Sequence, residues 1–286
     1  MRDWPPITDQ ELLERLALAD EEFIAYVHNL WNAVGAREFP AGAVERALGY
    51  PWERPAAASY VLRGQEVEPL DGTDPGAFTA DRHPLLAYGG NAAPTWLTAK
   101  FAHFPDEADR TVLVLAGELH DFDVGPAASL APFGYMPATI FASPGTTVRA
   151  SIVWATAAQV TQLTWSEIPY RLVRLDDAHF AADDADVPID EIFAYVHRLG
   201  TFCPDGSPVA LAAVPAANRI APALTQEQLL DVAAGMLFGP DARAADLVGT
   251  VFADMAGVVS RSSETLWLRS QQLQSTWTAL PGGLGS

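Results

Sequence analysis

Glu167 is the residue of this sequence whose surroundings best suit proton transfer. In Leu163-Thr-Trp-Ser-Glu167-Ile-Pro-Tyr170 it stands among Trp165, Ile168 and Tyr170. Apolar neighbours desolvate a carboxyl group and favour its protonated form, which fits a proton shuttle near neutral pH. A carboxylate at a helix end, held in a surface ion pair, is the competing reading. In Leu85-Leu-Ala-Tyr-Gly-Gly-Asn91 an apolar strand runs into a Gly-Gly pair, which lets backbone amides converge on an anion. A tight turn alone explains the same residues. Glu118-Leu-His120-Asp121-Phe-Asp123 contains metal-ligand types, but strand alternation leaves only Glu118 and His120 on one face, so it reads as a strand with outward polar residues. Cys203, the single cysteine, sits in the turn-like Phe202-Cys-Pro-Asp-Gly206 with no histidine partner in view.

Signatures of other chemistries are missing: there is no GxSxG elbow, no GxxxxGK loop and no HExxH, and the glycines of Gly282-Gly-Leu-Gly285 follow no strand. The order Ala87-Tyr-Gly-Gly-Asn91, Leu119-His-Asp-Phe122, Ala138-Thr-Ile-Phe-Ala-Ser-Pro-Gly145, then Leu163-Thr-Trp-Ser-Glu167 with Tyr170 resembles the gamma-glutamylcyclotransferase family over about 90 of 286 residues.

The resemblance implies an α+β fold with a small mixed β-barrel. It also implies an enzyme that closes a γ-glutamyl amine or peptide to 5-oxoproline and releases the amine. Tyr88, Gly89, Gly90 and Asn91 would form the substrate-binding turn, with Tyr170 beside it, and Glu167 would be the catalytic acid/base. The substrate's own α-amine attacks its side-chain carbonyl, so no protein nucleophile, metal or cofactor is needed. Two departures stand out: Gly90 replaces a usual serine, and the interval from Glu167 to Tyr170 is short and contains Pro169. Both bear on substrate identity. An amide hydrolase or acyl transferase on the same scaffold, or a non-catalytic binding or assembly module, are the alternatives.

The elements that must position these residues are partly legible. Thr8-Asp-Gln-Glu11 has the capping-box pattern, and apolar residues from Leu12 to Leu30 recur at helical spacing. From Gly35 to Pro84, proline and glycine favour short helices and loops over strands. Strands are expected at 85–88, 111–116, 138–142, 148–154 and 170–175, with 137–145 and 148–154 forming a hairpin. Thr156 should cap a short helix before Glu167. The acidic stretch from Asp176 to Glu191 reads as a solvated linker and not as a calcium loop. Thr225-Gln-Glu-Gln228 caps a helix ending at Gly239-Pro240, and further helices are expected near 241–257 and 263–278. The segments Glu22–Leu30 and Glu191–Leu199 share Glu, Ala, Tyr, Val, His and Leu in register and read as two similar amphipathic helices. Three regions follow: an N-terminal extension at 1–84, the core at 85–175, and an acidic linker with helical region at 176–286.

A composition of 49% hydrophobic and 19% charged residues is that of a globular chain with a sizeable core. The net charge of −19 disfavours nucleic acid and anionic membranes as partners. Residues 1–84 carry 7 basic and 15 acidic side chains, 85–175 carry 5 and 7, and 176–286 carry 5 and 14. A nearly neutral centre between acidic flanks fits an anionic small-molecule ligand. The opening residues lack a secretory pattern, which makes a bacterial-type cytoplasmic protein the default expectation. The flanking helices are candidates for a homo-oligomer interface. The single lysine, Lys100, against 16 arginines reads as codon bias and not as chemistry.

Overall fold

The computed structural model describes residues 19–52, 58–70, 72–185, 187–280 and 284. The expected capping box at Thr8–Glu11, the leucines that follow it and the glycines of the closing Gly282–Gly285 lie outside these residues. Helices α1 (Asp20–Val34) and α2 (Ala43–Leu48) precede strands β1 (Tyr60–Arg63), β2 (Glu66–Pro69) and β3 (His83–Ala87). Then come α3 (Pro94–Phe101), β4 (Thr111–Pro126), β5 (Ala138–Ala155), α4 (Ala157–Ser166), β6 (Tyr170–Leu175), β7 (His179–Ala182) and β8 (Ile192–His197). The two-residue strands β9 (Thr201–Phe202), β10 (Ala210–Leu211), β11 (Ala216–Ala217) and β12 (Ala223–Leu224) lead to α5 (Gln226–Phe238), α6 (Ala244–Ala253) and α7 (Met255–Glu264). β13 (Ser270–Gln271) and β14 (Trp277–Ala279) close the order.

The architecture is mixed α+β. Ten strands form one sheet in the order β14-β6-β8-β3-β5-β4-β1-β2, with β7 added to β4 and β11 to β5. The sheet does not close into the expected barrel. Its terminal strand β2 is exposed along its whole length and carries Glu66, Glu68 and Pro69, residues that keep a sheet edge unpaired. The sheet also crosses the divisions expected at 84/85 and 175/176, because β1, β8 and β14 lie outside residues 85–175.

Several expectations change. The hairpin of 137–145 with 148–154 is one strand: both halves of β5 pair antiparallel with β4, from Leu113↔Trp154 to Pro126↔Ala138. The turn residues instead make a bulge, where Asp121 (φ 63°) accepts the Gly145 N–H at 2.7 Å and Gly145 itself has φ 81°. Residues 60–69, expected as loop, form the β1–β2 hairpin around Gly64-Gln65. Of the polar run in β4, Asp123 turns inward, is fully buried, and takes two 2.8 Å bonds from Arg219.

The Glu22–Leu30 and Glu191–Leu199 echo resolves into a helix and a strand. β8 lies between β6 and β3 with all six residues buried, so only an extended segment fits there. The helices expected near 241–257 and 263–278 are instead α6 (Ala244–Ala253) and α7 (Met255–Glu264), and the chain after Glu264 makes a short turn, β13, and β14 pairing with β6. Local signals held elsewhere: Thr156 and Gln159 form a complete capping box on α4, and Thr225 with Gln228 forms another on α5, which ends at Gly239.

Candidate active site

Strand β3 lies between β5 and β8 and delivers the chain from the sheet interior to Tyr88 and the glycine pair. Gly90–Ala92 make a single 3-10 turn, closed by the Ala93 N–H donating to Gly90 O at 3.1 Å, and Pro94 then starts α3. The opening amides of such a turn have no partner within it. Gly89 is closely approached: a Cβ there would lie 3.0 Å from Tyr50 Oη and 3.5 Å from Ala138 Cβ. Gly90 is under no such pressure, its nearest neighbour being Trp52 at 3.9 Å.

α4 ends at Glu167, whose own N–H donates to Thr164 O at 3.0 Å. Its carbonyl accepts the Tyr170 N–H at 2.8 Å, so the short Pro-containing interval is one tight turn into β6. This turn brings the Glu167 side chain against the glycine turn. Its Oε1 accepts from Asn91 Nδ2 at 3.0 Å, from Lys100 Nζ at 3.2 Å and from Ser166 Oγ at 3.3 Å. Lys100 Nζ also donates to Asn91 Oδ1, which completes a triangle of Asn91, Lys100 and Glu167. The Glu167 side chain is 16% exposed and that of Lys100 7%. An ammonium and an amide, not the apolar wall expected from Trp165 and Ile168, therefore surround the carboxylate on one side.

Lys100, which as a lone lysine reads as codon bias, is instead the charged partner of Glu167. Its signal was present: it is the single lysine, nine positions after Asn91, on the helix that the glycine turn starts.

The tyrosines have structural bonds. Tyr170 Oη donates to Ala138 O at 2.8 Å, and Tyr50 Oη accepts the Ala138 N–H at 2.8 Å, so two rings hold the two peptide groups on either side of one β5 residue. Tyr88 Oη donates to Tyr195 O. Burial first, then the Glu167 charge, holds the Tyr88 hydroxyl well above its ordinary range. Burial, followed by Tyr50 and Glu167, does the same to Tyr170. Neither phenol is a proton carrier near neutral pH.

Gly90, Asn91, Lys100, Glu167 and Tyr170 open onto a cavity of about 410 Å³, whereas Tyr88 and Gly89 stand behind it. Its walls are mostly apolar and rich in tryptophan: Trp31, Trp52, Trp96, Trp165 and Trp267. Both flanks contribute, α1 through Phe23 and Val27 and α7 through Val258 and Val259. Asp20, at the start of α1, ties that helix to the sheet through Arg171 and Arg198. Sequence reasoning had no means of placing these flanks over the glycine turn.

Cys203 is buried away from this cavity, its thiol pushed up by burial and donating to Thr201 O at 3.4 Å. Among the described residues no cluster of three or more His, Cys, Asp or Glu could hold a metal ion, and no helix is long and apolar enough to cross a membrane. No protein-family model matches the chain, and no curated protein is significantly similar to it.

Proposed function

We propose that this chain closes a γ-glutamyl amide to 5-oxoproline and releases the amine, with Glu167 carrying the proton in both directions. The observation that carries the reading is the position of Glu167: largely buried, bonded through Asn91 to the glycine turn, and facing a ligand-sized cavity. The strand before the glycine turn and the glutamate after a capped helix are features that the gamma-glutamylcyclotransferase resemblance leads one to expect, and they support the reading; the helix α3 and the two long strands are not among them. The open sheet departs from the resemblance. On this reading the finer fold is a gamma-glutamylcyclotransferase-type sheet opened at β2 and enlarged by its flanks.

In the proposed reaction the amides opening the Gly90–Ala92 turn take the α-carboxylate of the substrate. Lys100 Nζ, 3.2 Å from Glu167 Oε1, holds the side chain that exchanges the proton. All three bonds to its side chain fall on Oε1. Oε2 is the oxygen left to take a proton from the α-amine as that nitrogen attacks the γ-carbonyl, and to return it to the departing nitrogen. The nucleophile is held within the substrate, so positioning supplies much of the acceleration. Lys100 and Asn91 are positioning residues that act through Glu167.

Incubation of the protein with γ-glutamyl peptides and amines, with 5-oxoproline read by mass spectrometry, tests the proposal. Glu167→Gln should fold and lose at least the roughly 10²-fold typical of acid/base removal. Equal product from both proteins refutes the role of Glu167. Free glutamate in place of 5-oxoproline identifies a hydrolase.

A further inference from the structure

At about 410 Å³ the cavity that holds Glu167 has the volume of a site for a drug-sized ligand, more than a γ-glutamyl group fills. An aromatic cluster adjoins the glycine turn, where a Cβ on Gly90 would lie 3.9 Å from the Trp52 indole. Between ring centroids Trp52 meets Trp96 at 4.9 Å and Tyr135 at 5.1 Å, and Tyr135 stacks on Tyr50 at 4.3 Å. All four rings line the cavity. Trp52 Nε1 donates to Arg46 O at 2.9 Å, so this ring offers a ligand its carbon surface. α1 adds an aliphatic stripe: Ile24, Val27 and Leu30 line the same cavity with Phe23, yet Phe23 is the only buried residue of that helix. Ile24 and Val27 are half-buried and Leu30 is 36% exposed, apolar surface that a ligand would remove from water. Charge is confined to one place. Among the described residues that line the cavity, Lys100 and Glu167 are the charged ones; they pair with each other, and Lys100 also donates to Asn91. His197 lines it too, and burial followed by Arg198 pushes it down to about 3, so it is neutral at pH 7. No arginine lines the cavity among the described residues. A carboxylate on the leaving group would lose its water there and meet no cation of its own.

We infer that this cavity selects a leaving amine that carries an uncharged aromatic group and rejects one that carries a carboxylate. The substrate class is then γ-glutamyl amides of aromatic amines, and not γ-glutamyl amino acids or peptides. The assignment to the leaving amine rests on the cyclisation reading; the preference for an uncharged ring does not.

Glutaryl amides lack the α-amine and cannot cyclise, so their binding is measured by calorimetry on the full-length wild type. Four probes separate the components: glutaryl-2-phenylethylamine, glutaryl-ethylamine, which lacks the ring, glutaryl-phenylalanine, which adds a carboxylate, and its methyl ester, which is larger and uncharged. Release of 5-oxoproline is read on the γ-glutamyl counterparts. The phenylethylamine probe should bind at least about 10-fold tighter than the ethylamine probe, the usual gain from burying such a ring. The methyl ester should bind at least about 10-fold tighter than the acid, because only the acid brings in an unpaired charge. Trp96→Leu should weaken the phenylethylamine probe by about 5-fold and the ethylamine probe less. An ethylamine probe as tight as the phenylethylamine one, an acid as tight as its ester, or no binding at all overturns the selection. The ranking without 5-oxoproline overturns the cyclisation and keeps the selection. 5-oxoproline without the ranking does the reverse.

Discussion

Replacing Lys100 by methionine keeps the length and apolar stem of the side chain and deletes the ammonium that faces Glu167. At 3.2 Å and an effective dielectric of about 20, the gross attraction of this pair is about 5 kcal/mol. Both side chains are largely buried, so their desolvation offsets most of it and leaves a coupling of about 1–3 kcal/mol. Removing one partner alone costs more, about 3 kcal/mol, because the other charge stays buried without its counter-charge. For a chain of this size that lowers Tm by about 5 °C. The assay is a double-mutant cycle: urea unfolding of the wild type, Lys100→Met, Glu167→Gln and the double variant. The double variant should be more stable than the sum of the single losses predicts, by about 1–3 kcal/mol, since it contains neither charge of the pair. Lys100→Met alone should also lower kcat more than it raises KM, because it disturbs the group that moves the proton and not the cavity wall. Additive losses within about 0.5 kcal/mol would refute the coupling, and with it the role of Lys100 in holding Glu167.

Two further outcomes follow from the geometry around the site. Gly89→Ala should lose about 1–3 kcal/mol, because its Cβ presses on Tyr50 Oη and so on the bond to Ala138, whereas Gly90→Ala should stay within about 0.5 kcal/mol of the wild type in the same thermal melts. Burial, and then neighbouring Arg198, pushes His197 down to about 3, while its unfolded value is about 6.5. The unfolded chain therefore takes up this proton first as the pH falls. The contribution of neutral His197 to stability is complete above pH 6.5 and is lost below it, with a slope of up to about 1.4 kcal/mol per pH unit. In denaturant titrations between pH 7 and 5, His197→Phe should show a shallower slope than the wild type, and equal slopes would refute the assignment.

What could be read from the sequence was what neighbouring residues decide among themselves. Thr156 with Gln159 and Thr225 with Gln228 cap their helices through bonds spanning three residues, so each box is complete within its own segment. The apolar runs from Leu85, Thr111, Ala138 and Tyr170 became strands for the same local reason. The ordered motif likewise drew attention to Glu167 and to the turn at Gly89–Asn91, which the fold brings within one hydrogen bond of each other.

Tertiary structure decided the rest, because the deciding partners are distant in the chain. Nearly the same residues are helical at Glu22–Leu30 and extended at Ile192–His197, since the second copy lies within a sheet that buries all six of its residues. Ser143-Pro-Gly145 reads as a turn until Asp121, 24 positions away, accepts the Gly145 N–H and makes it a bulge in a continuous strand. Lys100 carries no pattern of its own; its meaning comes from Glu167, 67 residues on. The cavity depends most on tertiary structure. Phe23, Trp52, Val258 and Trp267 come from both ends of the chain, and no spacing rule relates them. Burial of apolar surface brings them together because it rewards removal from water without regard to sequence separation.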